Sequence, residues 1–213
     1  ERMQYKIITI LGRTGQGKTT LAKEIINKLN RVFIIDVMNE YDYDNIFDVY
    51  QLLKVCNDIL KNEIKEFKYS LKITDDYFRD KAIEILWLFA KYHYKVFGEG
   101  FWLVCEEASL YAKNNSNHKI LDFVKYGRHY AINQIYISRN TAEISKTIIA
   151  NSHLIITFNQ QWEGHLKVLE EFGFNTEKIK NLKIGEYIAS GETEILNNLL
   201  KTKKREVNYA TSK

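Results

Sequence analysis

Eight residues near the start of the chain combine three glycines with a lysine and two hydroxyl side chains. They read Gly12-Arg13-Thr14-Gly15-Gln16-Gly17-Lys18-Thr19, which matches the pattern G-x-x-x-x-G-K-[ST]. The glycines let successive backbone N–H groups point into one concavity that can hold an anion. In such a loop the lysine reaches the β- and γ-phosphates of a nucleotide, and the last hydroxyl ligates Mg²⁺. Lys18 and Thr19 are therefore predicted to hold phosphate and metal.

The segments on either side of this loop have the patterns of a strand and a helix. An apolar run at 7–11 predicts a buried strand, and apolar residues spaced by three and four at 21–29 predict a helix. The helix N-terminus adds the positive end of its dipole to the anion site. We expect ATP and Mg²⁺ as the ligands. The residues predicted to contact the nucleotide are Gly12, Arg13, Thr14, Gly15, Gln16, Gly17, Lys18, Thr19 and Thr20.

Two adjacent carboxylates follow a second apolar run. Residues 101–105 predict a buried strand, and Glu106 and Glu107 come directly after it. One reading is a pair of solvated acids at a strand end. The other is a Walker B pair, because the carboxyl ends of central parallel strands face the ligand crevice. Glu106 would then support the metal through water, and Glu107 would act as the base for the attacking water.

The remaining pattern predicts an α/β fold. A short apolar run at 31–35 ends in Asp36, so strand, helix and strand form a βαβ unit with a parallel sheet. The longest helix is expected to begin at Asp75 or Asp76 and to end at Gly98. A terminal hairpin is predicted from residues 184–190 and 192–196, with Gly191 as the turn.

Length and composition indicate a single globular domain. At 213 residues, with 45% apolar and 27% charged residues, the chain has enough apolar surface for one core. We assign residues 1–200 to one ATPase domain and 201–213 to a basic C-terminal tail. Two cysteines without metal-ligand spacing, and no signal-peptide or spanning pattern, predict a reducing cytoplasmic location.

The charge pattern permits a polyanionic partner. The formal net charge is +4, and part of the excess lies in the run Lys201–Arg205, together with loop lysines such as Lys113 and Lys119. A solvated tail and a nucleic-acid contact are both open readings of that run.

A strand-terminal Glu107, separated from the phosphate loop by further strands, resembles the RecA-like, additional-strand, catalytic-glutamate class of P-loop ATPases. Small GTPases need an N-K-x-D segment and small-molecule kinases an Arg-rich lid, and neither is evident. Within the class, the chain resembles the FtsK–HerA superfamily over roughly residues 5–160. The resemblance rests on three segments: Asp36-Val37-Met38-Asn39-Glu40-Tyr41, Gly127-Arg128-His129, and the block 135–158.

That resemblance implies a ring-forming motor that hydrolyses ATP at subunit interfaces and moves double-stranded DNA. The size of a bare ATPase domain favours the genome-packaging ATPases of membrane-containing icosahedral viruses. A homo-oligomeric ring of five or six subunits, double-stranded DNA, and capsid or membrane-vertex proteins are the implied partners. For a viral protein the location would be the host cytoplasm or the virion.

Two departures from the family pattern affect the expected site. Glu106-Glu107 stands where the family usually has Asp-Glu, and Ser138-Arg139-Asn140 stands where it commonly has Thr-Gln-Arg. A trans-acting arginine would stabilise charge on the transferred phosphoryl group. Arg128 is the first candidate and Arg139 the second.

Asp36 and Glu40 are expected near the water side of the site. Other readings of the whole chain remain open. One is a plasmid, cellular HerA or conjugation-type DNA translocase, and another is a filamentous-phage assembly ATPase. A third, from a different class, is a switch or scaffold that binds ATP with little turnover.

Overall fold

The computed structural model describes residues 5–113, 119–200 and 208–209. Within them one nine-stranded sheet is flanked by helices on both faces. The predicted loop at 115–117 and the basic run Lys201–Arg205 lie outside the described residues. The strands are β1 (Ile7–Leu11), β2 (Arg31–Ile35), β3 (Asp44–Ile46), β4 (Phe67–Leu71), β5 (Trp102–Cys105), β6 (Asn133–Ser138), β7 (Leu154–Thr157), β8 (Ile188–Gly191) and β9 (Asn208–Tyr209).

Eight α-helices connect or follow these strands in the described part of the chain. They are α1 (Lys18–Asn27), α2 (Val49–Lys61), α3 (Asp76–Phe97), α4 (Ile120–Tyr126), α5 (Lys146–Ala150), α6 (Glu163–Glu171), α7 (Thr176–Lys180) and α8 (Glu194–Leu200). Short 3₁₀ turns follow β5 at Ala108–Leu110 and α4 at Gly127–Tyr130.

The strand order is β3-β4-β2-β5-β6-β1-β7-β8-β9. The pairs from β3 through to β7 are all parallel, so the carboxyl ends of these strands lie at one edge of the sheet. Strand β6 lies between β1 and β5, which is the inserted strand expected of the additional-strand class. The mainly parallel sheet confirms the predicted RecA-like α/β fold.

The two faces of the sheet are covered by different helices. Along β1, Ile7 and Leu11 pack in one apolar cluster with residues of α2, α3 and α4. Ile8 and Ile10 pack in the other with residues of α1 and α8. Alternate residues of a strand point to opposite faces, so a strand buried on both faces is mainly apolar, and Thr9 is the one polar residue of β1. This packing holds β1 and α1 rigidly on either side of the phosphate loop.

Helix α3 has the ends that the sequence predicts. The Asp75 carboxylate accepts a hydrogen bond from the Phe78 amide at 3.0 Å, which caps the first turn. The helix stops where Gly98 adopts a left-handed conformation with φ of 65°. Both cysteines are buried free thiols. In the described part of the chain, no helix is both long and apolar enough to cross a membrane.

The predicted C-terminal antiparallel pair is present, but its strands are β7 and β8. The prediction of a strand at 192–196 is wrong, because α8 occupies most of that segment. Ile195, Leu196 and Leu200 are spaced as one face of a helix and pack in the cluster that also contains α1. Helical spacing and strand alternation are hard to separate in so short an apolar segment.

Candidate active site

The phosphate loop connects the carboxyl end of β1 to α1, as predicted. Its backbone is tied to neighbouring strands, since Gly12 N–H donates to the Ser138 carbonyl at 3.3 Å and Arg13 N–H donates to the Asn159 carbonyl at 3.2 Å. Gly12 has a φ of 151°, and a Cβ there would lie 2.6 Å from the Phe158 Cβ. Only glycine fits, so Phe158 sets how closely the loop approaches the sheet.

The first turn of α1 is open to an anion. Gly17 is the N-cap, with a left-handed φ of 110°, and no side chain caps the helix. The first turn also contains no acidic residue. Backbone N–H groups at such a terminus are left to bind an external acceptor. These features fit a bound phosphate.

Lys18 is buried beneath the loop, and its ammonium donates to the Arg13 carbonyl at 3.0 Å. Burial lowers the pKa of Lys18, while the nearby carboxylates of Glu107, Glu106 and Glu40 oppose that shift. Three segments of the chain, which carry Lys18, Glu40 and the Glu106–Glu107 pair, therefore meet at one place. A charged lysine here would compensate the negative charge of a β,γ-phosphate group.

Glu106 and Glu107 follow β5 at the same edge of the sheet as the phosphate loop. Glu106 is buried, and its carboxylate accepts a hydrogen bond from the Tyr41 hydroxyl at 2.6 Å. Burial raises the pKa of Glu106 to about 7, although the Tyr41 hydrogen bond acts in the opposite direction. The sequence did not reveal this contact, which links residues 65 positions apart.

Glu40 and Asp36, both expected near the water side of the site, have different surroundings. The Thr19 hydroxyl donates to the Glu40 carboxylate at 2.6 Å, which places Glu40 beside the expected metal position. Asp36 is buried, and its carboxylate pairs with the Lys72 ammonium. It also accepts from the backbone amides of Glu40 and Tyr41, at 2.9 and 3.0 Å. Asp36 therefore fixes the turn from which the side chains of Glu40 and Tyr41 reach the site.

Glu107 has an unusual backbone and an unsatisfied side chain. Its φ and ψ are both 47°, a left-handed conformation that costs a non-glycine residue about 1–2 kcal/mol. The Oε2 atom of Glu107 is buried and makes no hydrogen bond within the described residues, although the Arg139 guanidinium lies within ion-pair distance of it. A buried carboxylate oxygen without a hydrogen bond is free to accept one from a bound water. An attacking water is such a donor, so the geometry fits a general base.

The two candidate arginines lie at opposite ends of strand β6: Arg128 precedes the strand and Arg139 follows it. The Arg139 Nε is 3.6 Å from the Glu107 Oε2, so Arg139 lies beside Glu107 of its own chain, and its side chain is half-exposed. Arg128 is exposed just before β6 begins, and its charge acts on Tyr5, which precedes β1. It therefore lies far from the phosphate loop of the same chain.

A polar network holds the segment after β6. The two ring nitrogens of His165 each lie 3.0 Å from a side-chain amide oxygen, one of Gln160 and the other of Asn140. The Gln160 amide in turn donates to the Thr141 hydroxyl at 2.8 Å. Sequence analysis missed His165 and Gln160, because they follow a different strand and no local pattern marks them.

The oxygen atoms near Thr19 fit a magnesium ion. Thr19, Glu40 and Glu106 offer hydroxyl and carboxylate oxygens, which are the ligands that Mg²⁺ prefers. Among the described residues, no three His, Cys, Asp or Glu side chains are grouped so as to hold a metal by themselves. Mg²⁺ is commonly completed by water and substrate phosphates, which matches a site of this kind.

A family profile decides the affiliation of the chain. The profile of the family described as "Helicase HerA, central domain" matches residues 5–213. The chain belongs to the HerA central-domain family. It is a P-loop ATPase of the FtsK–HerA type, and that family is one of DNA-translocating ATPases. No curated protein sequence matches this HerA-family chain significantly.

Solved structures confirm the fold of this HerA-family chain. The genome packaging NTPase B204 from Sulfolobus turreted icosahedral virus 2, in complex with AMPPCP, is 21% identical with a TM-score of 0.66. The match covers 87% of this chain and 91% of that one. B204 from Sulfolobus turreted icosahedral virus, described as a DNA-packaging ATPase, is 21% identical with a TM-score of 0.63 and coverages of 86% and 91%.

Proposed function

We propose that this protein is a motor that uses ATP hydrolysis to drive double-stranded DNA into a preformed viral capsid. The observation that carries the hydrolytic part is the buried Glu107 oxygen, which makes no hydrogen bond within the described residues and lies at the same edge of the sheet as the phosphate loop. Family membership supports DNA translocation. Packaging is supported by the B204 relatives, which are named as packaging enzymes and whose chains match this one over almost their whole length.

The described side chains divide the chemistry among them. Lys18 and the backbone of the phosphate loop bind the phosphates, and Thr19 with Glu106 holds Mg²⁺, which would polarise the transferred phosphoryl group. Glu107 accepts the proton of the attacking water as the water oxygen bonds to phosphorus. Tyr41 keeps the longer Glu106 side chain in position, so glutamate can serve where the family usually has aspartate.

The two arginines have different proposed roles. Arg139 acts in its own chain, where it is close enough to Glu107 to orient that carboxylate or to meet a γ-phosphate. Arg128 can contact a nucleotide only in another subunit, because it lies at the far end of the sheet. A ring of five or six chains would bring such a residue to a neighbour's site. Mixing Arg128→Ala chains with Lys18→Ala chains should then restore part of the ATPase activity that each variant lacks alone.

Contact with DNA is proposed to be electrostatic. The net charge of +4 and lysines such as Lys113 and Lys119 favour sequence-independent binding to phosphates. Such binding weakens as salt rises, since counterions compete for the same phosphates. The protein would act in the host cytoplasm or on the virion, with capsid or membrane-vertex proteins as further partners.

Displacement of a third DNA strand tests the motor. The protein with ATP should displace a triplex-forming strand from linear duplex DNA, and the Lys18→Ala variant should not. Displacement should be independent of duplex sequence and should fall with salt. ATP binding without DNA-stimulated hydrolysis or displacement would instead indicate a switch.

A second assay tests the packaging role. Adding the protein and ATP to empty capsids from the same source should make added duplex DNA resistant to nuclease. Displacement of the third strand without nuclease protection would indicate a translocase that does not package DNA.

A further inference from the structure

The turn that precedes β8 lies directly against the phosphate loop. Gly185 N–H donates to the Gln16 carbonyl at 3.0 Å. A Cβ on Gly17 would lie 3.6 Å from the Gly185 Cα, so the two backbones are nearly in contact. Residues 182–187, here called the β8 turn, therefore form one wall beside the nucleotide site.

The sheet topology places the β8 turn on the side where a nucleoside must extend. Glu106 and Glu107 follow β5, which lies on one side of β1, so a bound γ-phosphate and its metal would face that side. Strands β7 and β8 lie on the other side of β1. Because β8 is antiparallel to β7, Ile188 at its start pairs with Thr157 at the carboxyl end of β7. A triphosphate directed toward Glu107 leaves its ribose and base on the side of the β8 turn.

Several contacts fix the shape of the β8 turn. The Asn159 amide donates to the carbonyls of Lys180 and Leu182, at 2.8 and 2.9 Å. The Tyr187 ring packs on Phe158 with centroids 5.5 Å apart, and Phe158 itself packs under Gly12 of the phosphate loop. The β8 turn and the phosphate loop are thus held against the same buried ring.

An apolar side chain is displayed at the tip of this fixed turn. Ile184 is 77% exposed, although Tyr187 in the same turn is buried. When a flat apolar group of a ligand covers an exposed isoleucine, both surfaces leave water, and this burial favours binding. The face of a nucleobase is such a group, and it would be directed to this side of the loop.

We propose that Ile184, with the Gly185 backbone, forms the platform on which the base of the bound nucleoside triphosphate packs. The inference rests on the nucleotide site described above and names a further residue of that site. An aliphatic platform contacts the face of a base and not its hydrogen-bonding edge. Ile184 therefore contributes affinity for adenine and guanine nucleotides alike and does not select between them.

The test is a comparison of ligands with and without a base. Calorimetric titrations of the full chain with Mg²⁺ would measure the dissociation constants of ATP, GTP and inorganic tripolyphosphate. In Ile184→Ser the constants for ATP and GTP should both rise by about 5- to 10-fold, which is the loss of most of one apolar contact. The constant for tripolyphosphate should not change, and Ile184→Met should bind nearly as the parent does.

The matched control is Val96→Ser on α3, which removes another β-branched apolar side chain that is more than half exposed. It should leave all three constants unchanged. Equal ATP binding in Ile184→Ser and the parent would refute the platform, and so would an equal loss for ATP and tripolyphosphate. Failure of the parent to bind any of the three ligands would refute the nucleotide site itself, whereas loss of DNA translocation alone would leave the platform intact.

Discussion

Removing the Tyr41 hydroxyl should raise the pKa of Glu106 and weaken metal binding at neutral pH. The Tyr41→Phe variant keeps the ring but deletes the donor that lies 2.6 Å from the Glu106 carboxylate. A hydrogen bond to a charged group contributes about 1.5–3 kcal/mol, which corresponds to a rise of about 1–2 pKa units. Burial already raises this pKa to about 7, so Glu106 in the variant would be mostly protonated at neutral pH.

A protonated carboxyl group does not hold Mg²⁺, so the effect has a definite sign. Activity requires ionised Glu106 and is lost as pH falls through its pKa. The acid limb of the ATPase profile should therefore move up by about 1–2 pH units in Tyr41→Phe, and the Mg²⁺ requirement at neutral pH should rise by about tenfold or more. Above that limb the variant should approach the activity of the parent.

The matched control is Tyr43→Phe, which deletes a hydroxyl that donates to the Asn27 side chain at 2.7 Å on an exposed part of the surface. It should leave the profile unchanged. The assay is steady-state hydrolysis at fixed ATP, with Mg²⁺ titrated at each pH. An acid limb at the same pH in Tyr41→Phe and the parent would refute the assignment of Tyr41 as the residue that keeps Glu106 ionised.

Three further changes test other parts of the structure. Gly12→Ala should lower the free energy of unfolding by about 2–4 kcal/mol and weaken ATP binding, because its Cβ would lie 2.6 Å from the Phe158 Cβ in a backbone of positive φ. Denaturant unfolding and ATP titration measure the two effects, and an unchanged stability and affinity would contradict the packing. Lys72→Met should cost about 3–5 kcal/mol by leaving the buried Asp36 charge without its cation. Adding Asp36→Asn should recover part of that loss, because the amide removes the charge but keeps only one of the two acceptor oxygens; no recovery would contradict the pairing. Burial lowers the pKa of His93 from 6.5 to about 4, so the parent should lose about 3 kcal/mol of stability as pH falls from about 6.5 to 4. His93→Phe should not show that loss, and parallel pH–stability curves for the two proteins would contradict the assignment.

Local patterns were sufficient for the parts of the fold that depend on local physics. The apolar run of β1, the glycine loop and the start of α1 are contiguous, and each has a pattern that only one conformation satisfies. The cap at Asp75 and the stop at Gly98 are likewise decided within one turn of helix. Position 192–196 was predicted wrongly because its apolar spacing is short, and packing beside α1 decides for helix.

Site residues could be predicted only where their position beside a strand or loop fixes their place in the fold. Glu106 and Glu107 could be placed, because acids at the end of an apolar strand must reach the ligand edge of a parallel sheet. The hydroxyl of Tyr41 on Glu106 and the contact of the β8 turn with Gln16 join segments that are distant in sequence. Such contacts depend on strand order and register, and no local pattern reveals them.

The most direct test of the central claim is steady-state ATP hydrolysis by the parent and by Glu107→Gln, with and without double-stranded DNA. The exposed Glu170→Gln on α6 serves as the control. We expect hydrolysis by the parent that DNA stimulates, and a loss of about 10²- to 10⁴-fold in Glu107→Gln with ATP binding retained. Hydrolysis that survives in Glu107→Gln would show that the catalytic base lies elsewhere, and hydrolysis indifferent to DNA would contradict the motor.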